Sequence, residues 1–176
     1  SSTNGGNVVA LGGTNVDAFG RLRTSSPFTI FNSQNRFASD SQLDTDTTGS
    51  GALTYLANES SSSLDVTTSS GDEVIRESKR VFPYQPGKSL LVLATFVMAA
   101  TEDNLRQRVG YFGAQNGVFL QQNGSTVSFI NRHYTGGSVD DTRDIAQSSW
   151  NGDKLDGTGD SGYTLDLTKS QILFID

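Results

Sequence analysis

One histidine and no cysteine set narrow limits on what this chain could do to a substrate. His133 lies inside a strand-like run, Ser125 to Tyr134, with no second histidine and no acid at a recognisable spacing. General acid–base catalysis needs a proton acceptor tuned by its neighbours, so a solitary strand histidine is expected to be structural or solvent-facing. The lack of cysteine removes disulfides, thiolate metal sites and a thiol nucleophile. Carboxylates are plentiful, Glu59, Glu73, Glu77 and Glu102 among them. A glycosidase needs only two acids brought together by the fold, but most acids here fall in turn-like stretches where solvation accounts for them.

Two loops carry hard-cation ligand types. Asp44–Thr45–Asp46–Thr47–Thr48–Gly49 starts like a calcium loop, yet its fifth position is Thr48 and its twelfth is Tyr55, where a bidentate Glu belongs. Asp153, Asp156 and Asp160 share a later loop whose composition equally describes a turn region. Gly5–Gly6 and Gly12–Gly13 lack the strand-then-helix setting and the Lys–Ser/Thr of a phosphate loop. No catalytic residue, metal ligand or cofactor is therefore assigned. What remains is aromatic: Trp150, with tyrosines at 111, 134 and 163, could stack on a sugar. Trp150, Asn151, Asp153 and Tyr134 are the candidate contacts for a glycan or a protein partner. The competing reading packs Trp150 into the edge of a β-sandwich.

The elements that must position these residues are strands. Ser, Thr, Asn and Gly make up about two fifths of the 176 residues, and charged residues only 18%, a composition that starves helices of their best formers. Residues 1–24 read as an extended N-terminal arm, and residues 25–176 as one β-sandwich domain. Phe28 to Phe37 reads as the first strand and Ser39 to Gly51 as a polar loop. Leu53–Leu56 and Leu64–Thr67 flank a hairpin loop, and Glu73 to Tyr84 alternates. Lys88 to Ala99 is the most apolar run and is expected in the middle of a sheet, with Leu91, Leu93 and Phe96 in the core.

Arg106 to Phe112, Gly117 to Gln121 and Ser125 to Tyr134 follow as a meander, joined by Gly113–Asn116 and by the hairpin pair Asn123–Gly124. Thr142 to Gln147 reads as a short strand, Trp150 to Gly162 as a loop, and Leu165 to Asp176 ends in the apolar run Ile172–Ile175. The fold expected is all-β: an antiparallel sandwich of jelly-roll or concanavalin-like type. A chain that stops within an apolar run looks truncated at its C-terminal end.

A net charge of −6 with scattered Lys and Arg argues against a phosphate-neutralising surface, so no nucleic-acid partner is expected. No apolar run approaches the roughly 18 residues of a membrane helix, and no membrane insertion is expected.

Several stretches are specific as words: Asp17–Ala18–Phe19–Gly20–Arg21–Leu22–Arg23 with Ser26–Pro27–Phe28–Thr29–Ile30–Phe31; Arg108–Val109–Gly110–Tyr111–Phe112 with Asn116–Gly117–Val118–Phe119; Trp150 through Gly157; and Leu165 through Asp176. In these the chain resembles a family of virion structural proteins of tailed bacteriophages, especially phages of marine bacteria. The resemblance implies a non-catalytic particle component, on a capsid or tail surface, that assembles with copies of itself and other virion proteins. It also implies a final strand that runs on into further β-structure. The strands around Gly110 and Asn123–Gly124 look like those of lectin sandwiches as well, and the alternative is a carbohydrate-binding module attaching to host glycans.

Overall fold

The structure, a computed structural model, describes residues 28–83, 87 and 89–176; the expected arm over residues 1–24 lies outside them. The described chain is all-β with antiparallel pairing throughout, and its one helical element is a 3-10 turn at Gln147–Ser149. It divides between Pro83 and Tyr84 into two compact units, a boundary inside the stretch read as one sandwich.

In the first unit, β1 (Leu43–Thr48) pairs with β4 (Glu73–Ser78), and β2 (Ala52–Leu56) forms a hairpin with β3 (Ser61–Asp65). The polar loop expected over Ser39–Gly51 thus contains the six-residue strand β1. Its Asp and Thr side chains give no apolar period, and the ladder to β4 supplies its regularity. Conversely, Phe28–Phe37 is not a strand. Side chains compete with a ladder for its backbone: Gln34 N–H donates to Asp40 Oδ2 at 3.1 Å, and Asn35 Oδ1 accepts from Asp40 N–H at 3.2 Å. Polar side-chain bonds tie this unit together. Arg76 Nη2 donates to Asn35 Oδ1 (3.2 Å) and Ser39 Oγ (3.0 Å), and the Tyr55 hydroxyl donates to Asn35 O at 3.0 Å.

The second unit is a two-layer sandwich. One layer is a ribbon of β5 (Val92–Phe96) and β11 (Gln171–Ile175), with Leu173 opposite Ala94. The other is a meander of β6 (Arg106–Phe112), β7 (Gly117–Asn123) and β8 (Thr126–Thr135), extended by β10 (Asp144–Ala146). Short β9 (Ser138–Asp140) also pairs with β8. Residues directly opposite in an antiparallel pair share a face. The ribbon therefore presents Ala94, Phe96, Leu173 and Ile175 to Val109, Leu120, Val127 and Phe129 of the meander, and Met98, Leu167, Leu165 and Trp150 complete this core.

Two expectations about Lys88–Ala99 need correction. Its strand lies in a two-stranded ribbon rather than mid-sheet, and Leu93 is 57% exposed. Leu91 precedes β5 and is only half-buried, whereas Phe96 does pack against the core. Because strand side chains alternate, a run apolar on both faces does not reveal which parity points inward. Here it is 92, 94 and 96.

Candidate functional site

Trp150 follows the 3-10 turn, which places it beside β8. Its ring packs on Phe129 with centroids 5.3 Å apart and planes at 44°, and its Nε1 donates to Ile145 O at 3.1 Å. One face of the indole joins the core edge. Beyond it Phe129, Ile145, Ser149, Trp150 and Asn151 line a predominantly apolar recess of about 500 Å³. The structure thus brings together Trp150 and Asn151 of the four candidate contacts.

Asp153 belongs to its own loop. Its Oδ1 accepts from Leu155 N–H and its Oδ2 from Ser161 N–H, both at 2.8 Å, and these donors hold its carboxyl below the usual range. Gln147 Nε2 ties the same loop to the 3-10 turn through Lys154 O and Leu155 O, at 2.9 and 3.0 Å. Tyr134 is exposed and lies five residues along β8 from Phe129, about 17 Å at the rise of an extended strand. It does not line the recess.

His133 pairs across the β8–β9 hairpin with Asp140, its Nε2 lying 3.3 Å from Asp140 Oδ2. Its Nδ1 is buried, with no hydrogen-bond partner among the described residues. Asp140 instead fastens a turn: its Oδ1 accepts from Thr142 N–H at 2.7 Å. Asp156 does the same with Thr158 N–H (2.9 Å) and Asp166 with Thr168 N–H (3.0 Å). The shared Asp-x-Thr pattern is an Asx-turn signature. Among the described residues, no group of three or more His, Cys, Asp or Glu is placed to hold a metal ion.

The opposite face of the meander carries a cluster that sequence reasoning missed. Phe119 is fully buried. Its ring lies 4.4 Å from that of Phe112, and the guanidinium carbons of Arg108 and Arg132 sit 5.3 and 5.1 Å from its centroid. Arg132 is held by a bidentate pair with Asp141, both contacts 2.8 Å. The signal was local: alternate positions of β6, β7 and β8 place Arg108, Phe119 and Arg132 on one face.

These carboxylates imply an acid response. Hydrogen bonds from Thr142, Thr158 and Thr168 lower the pKa values of Asp140, Asp156 and Asp166, and the Arg132 guanidinium lowers that of Asp141. A carboxyl depressed in the folded state adds stability that is full above its unfolded value, about 3.9, and is lost as pH falls through the folded value. Urea midpoints should therefore hold steady from neutrality to about pH 5 and drop below about pH 4. Asp141→Asn should flatten that drop; an unchanged acid limb in this variant would contradict the assignment.

Comparison with protein-family models, with curated proteins and with solved structures returns no match to this chain.

Proposed function

We propose that the chain is a non-catalytic structural component of a phage particle, acting by assembly with copies of itself and with other virion proteins. The observation that carries the assembly reading is the outer face of the β5–β11 ribbon. Leu93, Val97 and Ile172 there are 57%, 61% and 70% exposed. Thr95 stands opposite Ile172 on the same face. Apolar area left in water costs roughly 25 cal/mol per Å², and a contiguous patch of this kind marks a surface that another protein covers. The phage context comes from the resemblance of residues 17–31, 108–119, 150–157 and 165–176 to tailed-phage virion proteins.

The test is sedimentation equilibrium of the purified full chain over a range of concentrations. Association is expected, and a monomer at every concentration would overturn the assembly reading. Labelling of intact particles with an antibody against the chain tests the context; unlabelled particles would remove it.

The Trp150 recess favours a second reading, a carbohydrate-binding module. An indole edge over an apolar floor, with the Asn151 amide at the rim, suits the apolar face of a sugar ring. Saturation-transfer NMR with host envelope polysaccharide tests it. Transfer that disappears in Asn151→Ala without loss of fold would promote this reading over pure assembly.

A further inference from the structure

Residues 32–42 of the first unit are held as a loop by side chains rather than by a ladder. The Asp40 carboxylate accepts from Gln34 N–H at 3.1 Å and from Gln42 N–H at 2.8 Å, and Gln42 Nε2 donates to Asn32 O at 3.1 Å. Two strands fasten the loop from outside. The Tyr55 hydroxyl of β2 donates to Asn35 O at 3.0 Å, and Arg76 of β4 holds Asn35 Oδ1 and Ser39 Oγ. A segment tied at this many points has already lost its freedom on folding, so a ligand that meets it bears little further ordering cost.

The loop presents an aromatic ring and a cation to solvent. Phe37 is 89% exposed, and the Arg36 guanidinium carbon lies 5.6 Å from its ring centroid. Both border an open recess of about 540 Å³, which Asn32, Gln34 and Ser41 also line, all of them exposed. The ring offers a flat apolar face, and the amides and hydroxyl beside it can both donate to and accept from ring hydroxyls. A lining of this kind suits a saccharide better than an apolar peptide. Among the described residues no carboxylate pairs with Arg36, and both oxygens of nearby Asp40 are engaged by backbone N–H groups. A free guanidinium is a fork for a carboxylate.

We propose that this recess binds an acidic saccharide, with Phe37 stacked on a sugar ring and Arg36 paired with the carboxylate of a uronate unit. The site belongs wholly to the first unit and uses neither the Trp150 recess nor the outer face of the ribbon. It therefore goes beyond both functional readings and stands or falls apart from them.

Arg36 and Phe37 are exposed, so Arg36→Ala and Phe37→Ala should keep the fold, which circular dichroism and urea midpoints check. The full chain is titrated in a calorimeter with oligogalacturonate, oligomannuronate and hyaluronan fragments, and with maltooligosaccharide as the neutral control. At least one uronate is expected to bind, and the neutral control to bind at least about tenfold more weakly. Each alanine variant should lower uronate affinity at least about tenfold, and added salt should weaken it. Arg36→Lys, which keeps the charge and loses the fork, should restore only part of the loss. Trp150→Phe should bind the uronate as the natural chain does. Failure of every uronate to bind, or binding indifferent to Phe37→Ala, would overturn the site. Binding that falls in Phe37→Ala but not in Arg36→Ala would overturn the acidic specificity. Binding lost in Trp150→Phe and kept in Phe37→Ala would overturn this site and support the recess of the second unit.

Discussion

Phe119→Ala is expected to cost about 3–5 kcal/mol of folding stability, the range for truncating a fully buried aromatic. The expectation comes from how the ring is enclosed. Gly110 stands opposite Phe119 in the β6–β7 ladder, and its φ of +155° belongs to the region that favours glycine. A side chain at Gly110 would have its Cβ 2.6 Å from Phe119 Cα and 2.8 Å from Phe119 Cβ. The glycine thus lets the two strands approach, and the phenylalanine ring fills what the missing side chain leaves open.

Removing the ring opens a void bordered by the Gly110 backbone, the Phe112 ring and two guanidinium groups. It also removes the π-face lying 5.3 Å from Arg108 and 5.1 Å from Arg132. Urea denaturation followed through Trp150, the sole tryptophan, measures the effect. The midpoint should fall steeply, against a total stability of about 5–15 kcal/mol for a typical domain. Leu93→Ala, on the exposed outer face, should change stability by less than about 1 kcal/mol. A loss below about 1 kcal/mol for Phe119→Ala would show that its surroundings repack.

The part of this fold legible in the sequence is the part built from local signals. The β6–β7–β8 meander follows alternating strands joined by Gly113–Asn116 and Asn123–Gly124, and each turn is specified by its own residues. The run Ile172–Ile175 is likewise legible as a strand. Its pairing with β5, some 75 residues earlier, is not, because nothing within either strand encodes a distant partner.

β1 was illegible for another reason. Five of its six residues are Asp or Thr, so no apolar face announces it. Phe28, Ile30 and Phe37 misled in the opposite sense: they suggest a strand but are 86%, 46% and 89% exposed. At the candidate site, Trp150 and Asn151 were legible as neighbours in sequence. Asp153 lies outside the recess lining and holds its own loop, as a carboxylate two residues before a backbone N–H readily does. The recurrence of Asp-x-Thr at 140, 156 and 166 carried that message.

Trp150→Ala is the second change with a large expected effect, about 2–4 kcal/mol, somewhat below a fully buried tryptophan because one edge of the indole borders the recess. Three contributions combine. The ring packs on Phe129 at 5.3 Å, Nε1 donates to Ile145 O at 3.1 Å, and the indole packs against the core cluster of Met98, Leu120, Leu167 and Leu173. Trp150→Phe keeps most of the packing and forfeits the hydrogen bond, worth about 0.5–1.5 kcal/mol net. It should therefore recover more than half of the loss seen with alanine.

The pair of variants also separates the two functional readings. If the chain acts by assembly through the outer face of the ribbon, Trp150→Phe should associate as the natural chain does, since Trp150 packs on Phe129 and the core rather than among Leu93, Val97 and Ile172. If the recess takes a sugar, Trp150→Phe should weaken polysaccharide binding while leaving sedimentation close to that of the natural chain and lowering the urea midpoint only by the lost hydrogen bond. A Trp150→Phe chain that is as unstable as Trp150→Ala would mean that the Ile145 hydrogen bond, rather than ring packing, secures this edge of the sandwich.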